Sequence, residues 1–392
     1  MSRWGRVAKV LEVVGQGSLA DFFGDFVVYR SLSPVDDRLP DLEKLRSLLG
    51  LRPSELPRKA EPSYARVVAE MLRVANRIQI GSDELKSVIM IGDTEHNDGG
   101  AFRNICAALS CPGGALIGDE DDAAPRLEST GGESGSVLYT ANRWRLIDQF
   151  EEELTGHGIT IGRGTAVIVD IDKTALGARG RNHRPIDAAR VAAVMSTATE
   201  ILGDEVDRDL VMAAYGHFNV PKFHPFTGDN QDFLAYLGLM VGGGWGSMES
   251  LDEEITSGAV PTFEALLARL TDGQDELPPR LRSVHGDVAA AVAAGDPTPF
   301  KGFRRAEFRE TVSRMVPAGD DPDVDSLIET GITITHEVRA KALEWRDRGA
   351  LLFGLSDKPD EASFPSADLA AEGFLPLHRT PAWVVGEASP DR

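Results

Sequence analysis

Two carboxylates spaced two residues apart stand directly after the most strand-like run in the chain. The run 165–169 is apolar after its first residue, and Asp170 and Asp172 follow it. Ligands of an open parallel sheet bind at the carboxyl ends of its strands. One acid there can attack an electrophile or bind a cation, while the other exchanges a proton with a leaving group. Taken alone, the pattern also fits a strand that ends in an Asp capping a helix.

A second apolar run, 88–91, ends in Gly92 and Asp93, with Asp98 following in the same turn. Glycine allows the backbone to turn tightly after the strand. Clustered carboxylates supply the oxygen ligands that a hard cation such as Mg²⁺ prefers. The pattern therefore predicts a Mg²⁺ site, and an acidic turn without a ligand is the alternative.

Two further polar residues lie beside elements of the same kind. Ser356 follows the apolar run 350–355, where a hydroxyl just before a helix can hydrogen-bond a phosphoryl oxygen. Lys59 lies just ahead of a helical pattern whose entry Pro62 fixes, where it could neutralise an anion. A serine that only caps a helix and a lysine that only faces solvent fit the same two patterns.

A basic cluster follows the Asp170 motif in an otherwise acidic protein. It consists of Arg179, Arg181, His183 and Arg184. One interpretation is a solvated loop, and the other is a local patch that attracts an anionic substrate toward Asp170. On the second interpretation Arg179 is a substrate-binding candidate.

Strands and helices alternate along residues 1–165 and again near the end of the chain. This alternation predicts βαβ units and a parallel sheet. The stretch 119–136 is acidic and rich in Gly and Ser, which predicts a surface loop. The predicted strands are 26–29, 87–91, 115–117, 136–139, 165–169 and 350–355, and the predicted helices are 61–78, 102–109, about 142–155 and 336–348.

Helical patterns dominate the middle of the chain, at 187–202, 206–214, 262–270, 286–294 and 304–315. We therefore predict an α/β fold with a doubly wound, mostly parallel, Rossmann-like sheet. Residues 1–179 and 336–392 would form this core domain, and residues 180–335 would form a large, mostly helical domain inserted into it.

Composition limits the classes of function. The 392 residues suffice for two domains, and the net charge of −21 argues against binding to nucleic acid or to a membrane surface. The two cysteines are too few for a disulfide scaffold. No apolar run has the roughly 20 residues that span a bilayer. A soluble, cytoplasmic protein of undetermined oligomeric state is predicted.

Together these motifs resemble the haloacid dehalogenase superfamily of phosphohydrolases. Asp170-x-Asp172-x-Thr174 resembles its first motif, Ser356 its second, Lys59 before a helix its third, and Gly92-Asp93 with Asp98 its fourth. The family order is one, cap, two, three, four, whereas the order here is three, four, one, cap, two. The resemblance thus implies a circular permutation, with residues 180–335 as the cap. Lys358, in Ser-Asp-Lys-Pro, is the alternative to Lys59 as the third-motif lysine.

The resemblance implies a Mg²⁺-dependent phosphatase acting on a small phosphorylated substrate. Asp170 would attack phosphorus to give an aspartyl-phosphate, and Asp172 would act as the general acid and then the general base. Asp170, the backbone carbonyl of Asp172, and Asp93 would hold Mg²⁺, with Asp98 as a further or outer-shell ligand.

Lys59 and Ser356 would bind phosphoryl oxygens, with Thr174 and Arg179 as further substrate-binding candidates. Two alternatives remain open at the level of sequence. One is a phosphomutase or phosphotransferase that uses the same aspartyl-phosphate, and the other is a non-catalytic protein that binds a phosphorylated metabolite.

Overall fold

The computed structural model of the protein describes residues 10–52, 56–131, 135–317, 319 and 322–388. These residues form two compact units. The first unit combines the described residues up to 187 with 312–363 and those from 374 onward, and the second combines 188–311 with 364–373. The predicted helical domain, 180–335, starts before and ends after the main segment of the second unit, 188–311, and does not include its short segment, 364–373.

Seven strands of the first unit form one sheet, in the order β2-β9-β7-β3-β4-β6-β5. Neighbouring strands are parallel except β5 and β6, which are antiparallel. The protein is therefore α/β with a mostly parallel sheet, as the sequence predicts, and the architecture is consistent with a Rossmann-like fold. The strands of the described residues are β1 (Leu11–Gly17), β2 (Val27–Val28), β3 (Ser87–Gly92), β4 (Gly113–Gly118), β5 (Leu127–Gly131), β6 (Ser136–Ala141), β7 (Thr165–Asp170), β8 (Ile334–Thr335), β9 (Leu351–Leu355) and β10 (Ala382–Glu387).

β7 is an interior strand of this sheet, between β9 and β3, and all of its residues are buried. Burial on both faces explains why β7 is a continuous apolar run rather than an alternating one. In register, Asp170 pairs with Leu355 of β9, and Val169 pairs with Ile91 of β3. The carboxyl ends of the three strands are therefore level at one edge of the sheet.

The helices follow the sequence pattern closely where the apolar spacing is regular. In α3, Glu61 is the N-cap, Pro62 is the first helical residue, and Gly81 ends the helix in a left-handed conformation with φ 74°. The α-helices are α1 (Ala20–Phe23), α2 (Leu42–Leu49), α3 (Pro62–Ile80), α4 (Gly100–Leu109), α5 (Ile147–Gly156), α6 (Arg184–Leu202), α7 (Arg208–Phe218), α8 (His224–Thr227), α9 (Gln231–Gly242), α10 (Met248–Ser257), α11 (Phe263–Asp272), α12 (Pro279–Ala293), α13 (Lys301–Met315), α14 (Val324–Thr330), α15 (His336–Asp347) and α16 (Ala367–Ala371).

Shorter helical turns connect these elements. A π-helical turn covers Glu95–Gly99 and leads directly into α4, while 3₁₀ turns cover Trp144–Leu146, Gly203–Glu205, Pro221–Phe223, Gln274–Glu276, Asp360–Ala362 and Leu377–Arg379. Among its described residues the second unit contains helices and no strand. Its core is built largely from the aromatic residues Phe218, Tyr236 and Phe263 and from leucines packed around them.

The structure corrects the prediction that residues 119–136 form a loop throughout. β5 occupies Leu127–Gly131 and pairs with β6, while residues 132–134 lie outside the described residues. Most side chains of β5 are exposed, so no apolar pattern marks this strand, and it is formed through pairing with its neighbour.

A second sheet, in the order β1-β10-β8, is also absent from the sequence prediction. β1 pairs with β10 in antiparallel fashion, which brings segments near the two ends of the chain side by side. None of the helices in the described residues combines the length and apolar character needed to span a bilayer.

Candidate active site

A buried ion cluster lies at the edge where β3, β7 and β9 end. The Nζ atom of Lys59 is 2.5 Å from Oδ1 of Asp170 and 2.6 Å from Oδ1 of Asp98. The exposed fractions of the Lys59, Asp98 and Asp170 side chains are 3%, 2% and 8%. Residues from three separate stretches of the sequence thus meet in what we call the Lys59 cluster, defined as Lys59, Asp98 and Asp170.

The turn that carries Lys59 is fixed from both sides. The Glu61 carboxylate accepts a hydrogen bond from the Arg58 backbone N–H, and the Glu61 N–H donates to the Arg58 carbonyl. The side-chain amide of Asn104, on α4, donates to the carbonyl of Ala60 at 2.9 Å. These contacts hold Lys59 ahead of α3 with its amine directed to the sheet edge.

Asp98 is held by its own chain as well as by Lys59. Its Oδ2 atom accepts hydrogen bonds from the backbone N–H groups of Asp93 and Thr94 and from the Thr94 hydroxyl, at 3.0, 2.9 and 3.1 Å. A Cβ atom at Gly92 would lie only 2.4 Å from the Asp98 Cβ, so glycine is required for this approach. Both carboxylate oxygens of Asp98 are therefore engaged, one by Lys59 and one by the turn.

Asp93 pairs with a different cation. The guanidinium group of Arg179 donates to Oδ2 of Asp93 from Nε at 2.6 Å, and its Nη2 atom lies 2.5 Å from the same oxygen. The Asp93 side chain is 9% exposed and that of Arg179 is 29% exposed. Arg179 thus faces the acidic residues and is also accessible to solvent.

The three carboxylates are close enough to share one ion. One oxygen from each of Asp93, Asp98 and Asp170 lies within 4.8 Å of the other two. Carboxylate oxygens are the donors that a hard cation such as Mg²⁺ prefers. The donor type and spacing of these carboxylates therefore fit a hard divalent cation.

Burial and mutual repulsion shift the pKa values in this cluster. Burial raises the pKa of Asp170 well above its ordinary value, the charges of Asp98 and Asp93 raise it further, and Lys59 opposes them. Burial and the charge of Asp98 raise the pKa of Asp93 to about 6. Burial acts to lower the pKa of Lys59, but the charges of Asp170 and Asp98 outweigh it and raise that pKa. Negative charge at the site thus exceeds what the lysine neutralises.

Asp172 lies near a second buried lysine. The Nζ atom of Lys358 is 3.8 Å from Oδ2 of Asp172, and the Asp172 side chain is 26% exposed, more than any member of the Lys59 cluster. Ser356 follows the residue that pairs with Asp170, and its hydroxyl accepts a hydrogen bond from the Lys358 N–H at 3.0 Å. Of the two candidate lysines, Lys59 is the one in contact with Asp170.

The expectation that Ser356 directly precedes a helix is wrong. A 3₁₀ turn begins at Asp360 and the next α-helix begins at Ala367. The hydroxyl instead closes a short turn by accepting the hydrogen bond of the Lys358 backbone N–H.

Thr174 has no exposed surface. Its hydroxyl has no hydrogen-bond partner among the described residues, while its carbonyl accepts from the Thr335 hydroxyl at 2.5 Å. Access of a substrate to this hydroxyl would therefore require the surrounding loop to move.

The basic cluster after the Asp170 motif does not act as one surface patch. Arg179 binds Asp93, whereas Arg181 is buried and pairs with Glu120 and Glu337, in each case with an N–O distance of 2.8 Å. Among these basic residues Arg184 is the exposed one. We call Arg181, Glu120 and Glu337 the Arg181 cluster.

Several residues that shape the site were not singled out from the sequence. Thr94 holds Asp98, and Asn104 holds the Lys59 turn. The Tyr64 hydroxyl, on the buried face of α3, has no hydrogen-bond partner among the described residues, and burial together with the charge of Asp357 raises its pKa. The available signal was a polar atom on an otherwise apolar helix face, which by itself does not identify a site.

Comparisons of the chain with family models, with curated proteins and with solved structures gave no match.

Proposed function

We propose that the protein is a Mg²⁺-dependent phosphohydrolase that acts on a small phosphorylated metabolite through an aspartyl-phosphate at Asp170. The observation that carries the proposal is the contact of Lys59 with both Asp170 and Asp98, at the carboxyl ends of adjacent parallel strands. A buried carboxylate that is oriented by a lysine and adjoins further acids is suited to covalent phosphoryl transfer.

The proposal includes a circular permutation. Read cyclically from Asp170, the chain runs through the helical second unit to Ser356, then from the other end through β2 to Lys59, α3 and Asp93. The pairing of β1 with β10 supports this order, because segments near the two ends of the chain are adjacent. In this scheme the second unit has the chain position of a cap, between the first and second motifs.

Asp170 would attack the phosphorus atom of the substrate. Because Lys59 holds Oδ1, Oδ2 is the oxygen left to form the new P–O bond. The bond from phosphorus to the ester oxygen breaks, and Asp172 donates its proton to that leaving oxygen. Asp172 then removes a proton from the water that attacks the aspartyl-phosphate, releasing phosphate and restoring Asp170. The partial exposure of Asp172 suits a group that exchanges protons with substrate and water.

The residues that would hold Mg²⁺ are Asp93, Asp170 and the backbone carbonyl of Asp172. Asp98 has both oxygens engaged, so its role would be to position Lys59 and the turn after β3. When bound, the ion would supply positive charge that offsets the repulsion between these carboxylates and a phosphate. Lys59 and the Ser356 hydroxyl would bind phosphoryl oxygens.

The first experiment measures phosphate release from an aryl phosphate and from a panel of phosphorylated metabolites, with Mg²⁺ or with EDTA. We expect release that requires the metal, and none from Asp170→Asn. The control is Asp37→Asn, the same change at an exposed acid. Transfer of the phosphoryl group to an acceptor without release would instead indicate a phosphotransferase. Wild-type protein that binds phosphate compounds without turnover would contradict catalysis altogether.

A second experiment tests the role of Asp172. Asp172→Asn should bind metal normally, because its backbone carbonyl is the assigned ligand. Loss of a general acid typically lowers the rate about 10² to 10⁴-fold. The loss should be larger for alkyl than for aryl phosphates, because an aryl oxide leaves without a proton. Equal losses in the single-turnover phosphorylation step would exclude Asp172 as the general acid.

A further inference from the structure

Arg179 occupies the carboxylate that the proposed function assigns to the metal. Both its Nε and Nη2 atoms are within 2.6 Å of Oδ2 of Asp93. A guanidinium group and a divalent cation that share one carboxylate repel each other, so each weakens the binding of the other. The arginine and the metal are therefore expected to compete for Asp93.

The backbone of Arg179 is anchored independently of its side chain. Its N–H donates to the Lys173 carbonyl at 2.7 Å, and its carbonyl accepts from the Glu120 N–H at 3.1 Å and from Nε1 of Trp144 at 3.2 Å. The side chain is 29% exposed, and among the described residues its hydrogen-bond and ion-pair partner is Asp93 alone. The guanidinium can thus leave Asp93 without disturbing the loop.

A displaced guanidinium would remain next to the reaction centre. Its present partner belongs to a group of carboxylates whose oxygens lie within 4.8 Å of one another and include Asp170. The planar guanidinium suits two-point binding of phosphoryl oxygens better than a lysine amine does.

We propose that Arg179 neutralises Asp93 while the metal is absent, gives up Asp93 when the metal binds, and then pairs with phosphoryl oxygens of the substrate. This inference rests on the proposed function, since it concerns how that site is loaded. It makes metal binding and substrate binding cooperative, because the metal releases the arginine that the phosphoryl group needs.

The test compares Arg179→Gln with wild type in calorimetric titrations with Mn²⁺ as the metal probe. We expect about tenfold tighter Mn²⁺ binding in the variant. This factor corresponds to the low end of the energies of charged hydrogen bonds, because the pair of Arg179 with Asp93 is partly exposed. With Mg²⁺ saturating, inorganic phosphate should bind about tenfold more weakly to the variant. Arg179→Lys, which keeps the charge without the two-point geometry, should fall between the two proteins in both titrations.

The matched control is Arg184→Gln, which removes the same charge from an exposed position five residues along the chain. Its affinities for Mn²⁺ and for phosphate should stay near those of wild type. A change in either affinity would mean that loss of any nearby positive charge produces the effect, which would contradict a specific role of Arg179. If wild type binds no Mn²⁺ at millimolar concentration, the metal assignment fails and the inference fails with it. If wild type binds Mn²⁺ and Arg179→Gln binds it no more tightly, the inference alone is overturned. Unchanged phosphate affinity would likewise overturn the second pairing of Arg179.

Discussion

Two buried clusters in the first unit contain one cation and two carboxylates each, yet they differ in how fully the charges are matched. Arg181 reaches both oxygens of Glu337 and both of Glu120, and the Glu387 backbone N–H adds a further donor to Glu337. Lys59 reaches one oxygen of Asp98 and one of Asp170. The guanidinium group has enough donors for two carboxylates. In the Lys59 cluster the turn after β3 supplies the donors for the second oxygen of Asp98, but no such donors complete the shell of Asp170 among the described residues.

The pKa shifts follow the same difference. Burial acts to raise the pKa of Glu337, but the charge and hydrogen bonds of Arg181 outweigh it, so that pKa lies below its ordinary value. Burial also acts to raise the pKa of Asp98, but Lys59 and the backbone donors of the turn outweigh it, and that pKa is lowered too. For Asp170, the acid that is only partly matched, burial wins and the pKa is raised. Burial of a charged cluster therefore does not distinguish a site from a structural support. The unmatched negative charge does, because it is available for a metal or a reacting group.

Asp170→Asn should cause the largest change, and it should act on turnover rather than on stability. Loss of a covalent nucleophile lowers the rate about 10³-fold or more. In EDTA at pH 7 the free energy of unfolding should not fall, because the variant no longer buries an acid whose charge is disfavoured there. Rate assays and urea unfolding of the same sample measure both. A marked loss of stability would mean that the Lys59 cluster, like the Arg181 cluster, mainly stabilises the fold.

Arg181→Met should show the opposite behaviour. It leaves two buried carboxylates without their cation, which typically costs about 3–5 kcal/mol of the free energy of unfolding. Urea unfolding measures the loss, and Arg184→Met on the exposed side of the same segment should change stability by about 0.5 kcal/mol or less. Turnover of the fraction that stays folded should change little. If Arg181→Met folds with wild-type stability, the matched cluster is not a support.

The sequence was sufficient to predict the strands that carry the site. β3, β7 and β9 are continuous apolar runs because they are buried on both faces, and an acid or a hydroxyl follows each of them. Because parallel strands end at the same edge, their polar residues could be expected to converge. Helices with regular apolar spacing, such as α3, were also predicted within two residues of their ends.

The sequence could not reveal pairings that depend on distant partners. Arg181 is buried by Glu120 and Glu337, which are 61 and 156 residues away along the chain. The pairing of Arg179 with Asp93 spans 86 residues. No local sequence pattern distinguishes the environments of these two arginines. The sheet formed by β1, β10 and β8 was not predicted for the same reason, because its strands are far apart in the sequence. The matching of charge that separates the two clusters therefore appears only in three dimensions.

Glu337→Gln should remove a pH-dependent part of the stability. A carboxyl with a lowered pKa stabilises the fold above the pKa of the unfolded chain, about 4.3, and this stabilisation is lost as pH falls through the folded value. At pH 7 the variant should lose about 2 kcal/mol, as for a charged hydrogen bond. Its deficit against wild type should shrink as the pH is lowered below 4. Urea unfolding across this range measures it, with the exposed Glu152→Gln as the control. A deficit that is constant with pH would mean that the charge of Glu337 is not what Arg181 stabilises.

The smallest expected effects come from a comparison of two threonines, the half-buried Thr94 and the buried Thr174. The Thr94 hydroxyl donates to Asp98, so Thr94→Val should lose about 1 kcal/mol of unfolding free energy and lower turnover by several fold through a less well-held Asp98. Thr174→Val replaces a hydroxyl that has no partner among the described residues, so stability should stay the same or rise. Its KM decides whether Thr174 binds substrate, because valine fills the same volume but cannot donate. A raised KM at unchanged stability would assign Thr174 to the substrate. A loss of stability in Thr174→Val equal to that in Thr94→Val would contradict the difference between the two hydroxyls.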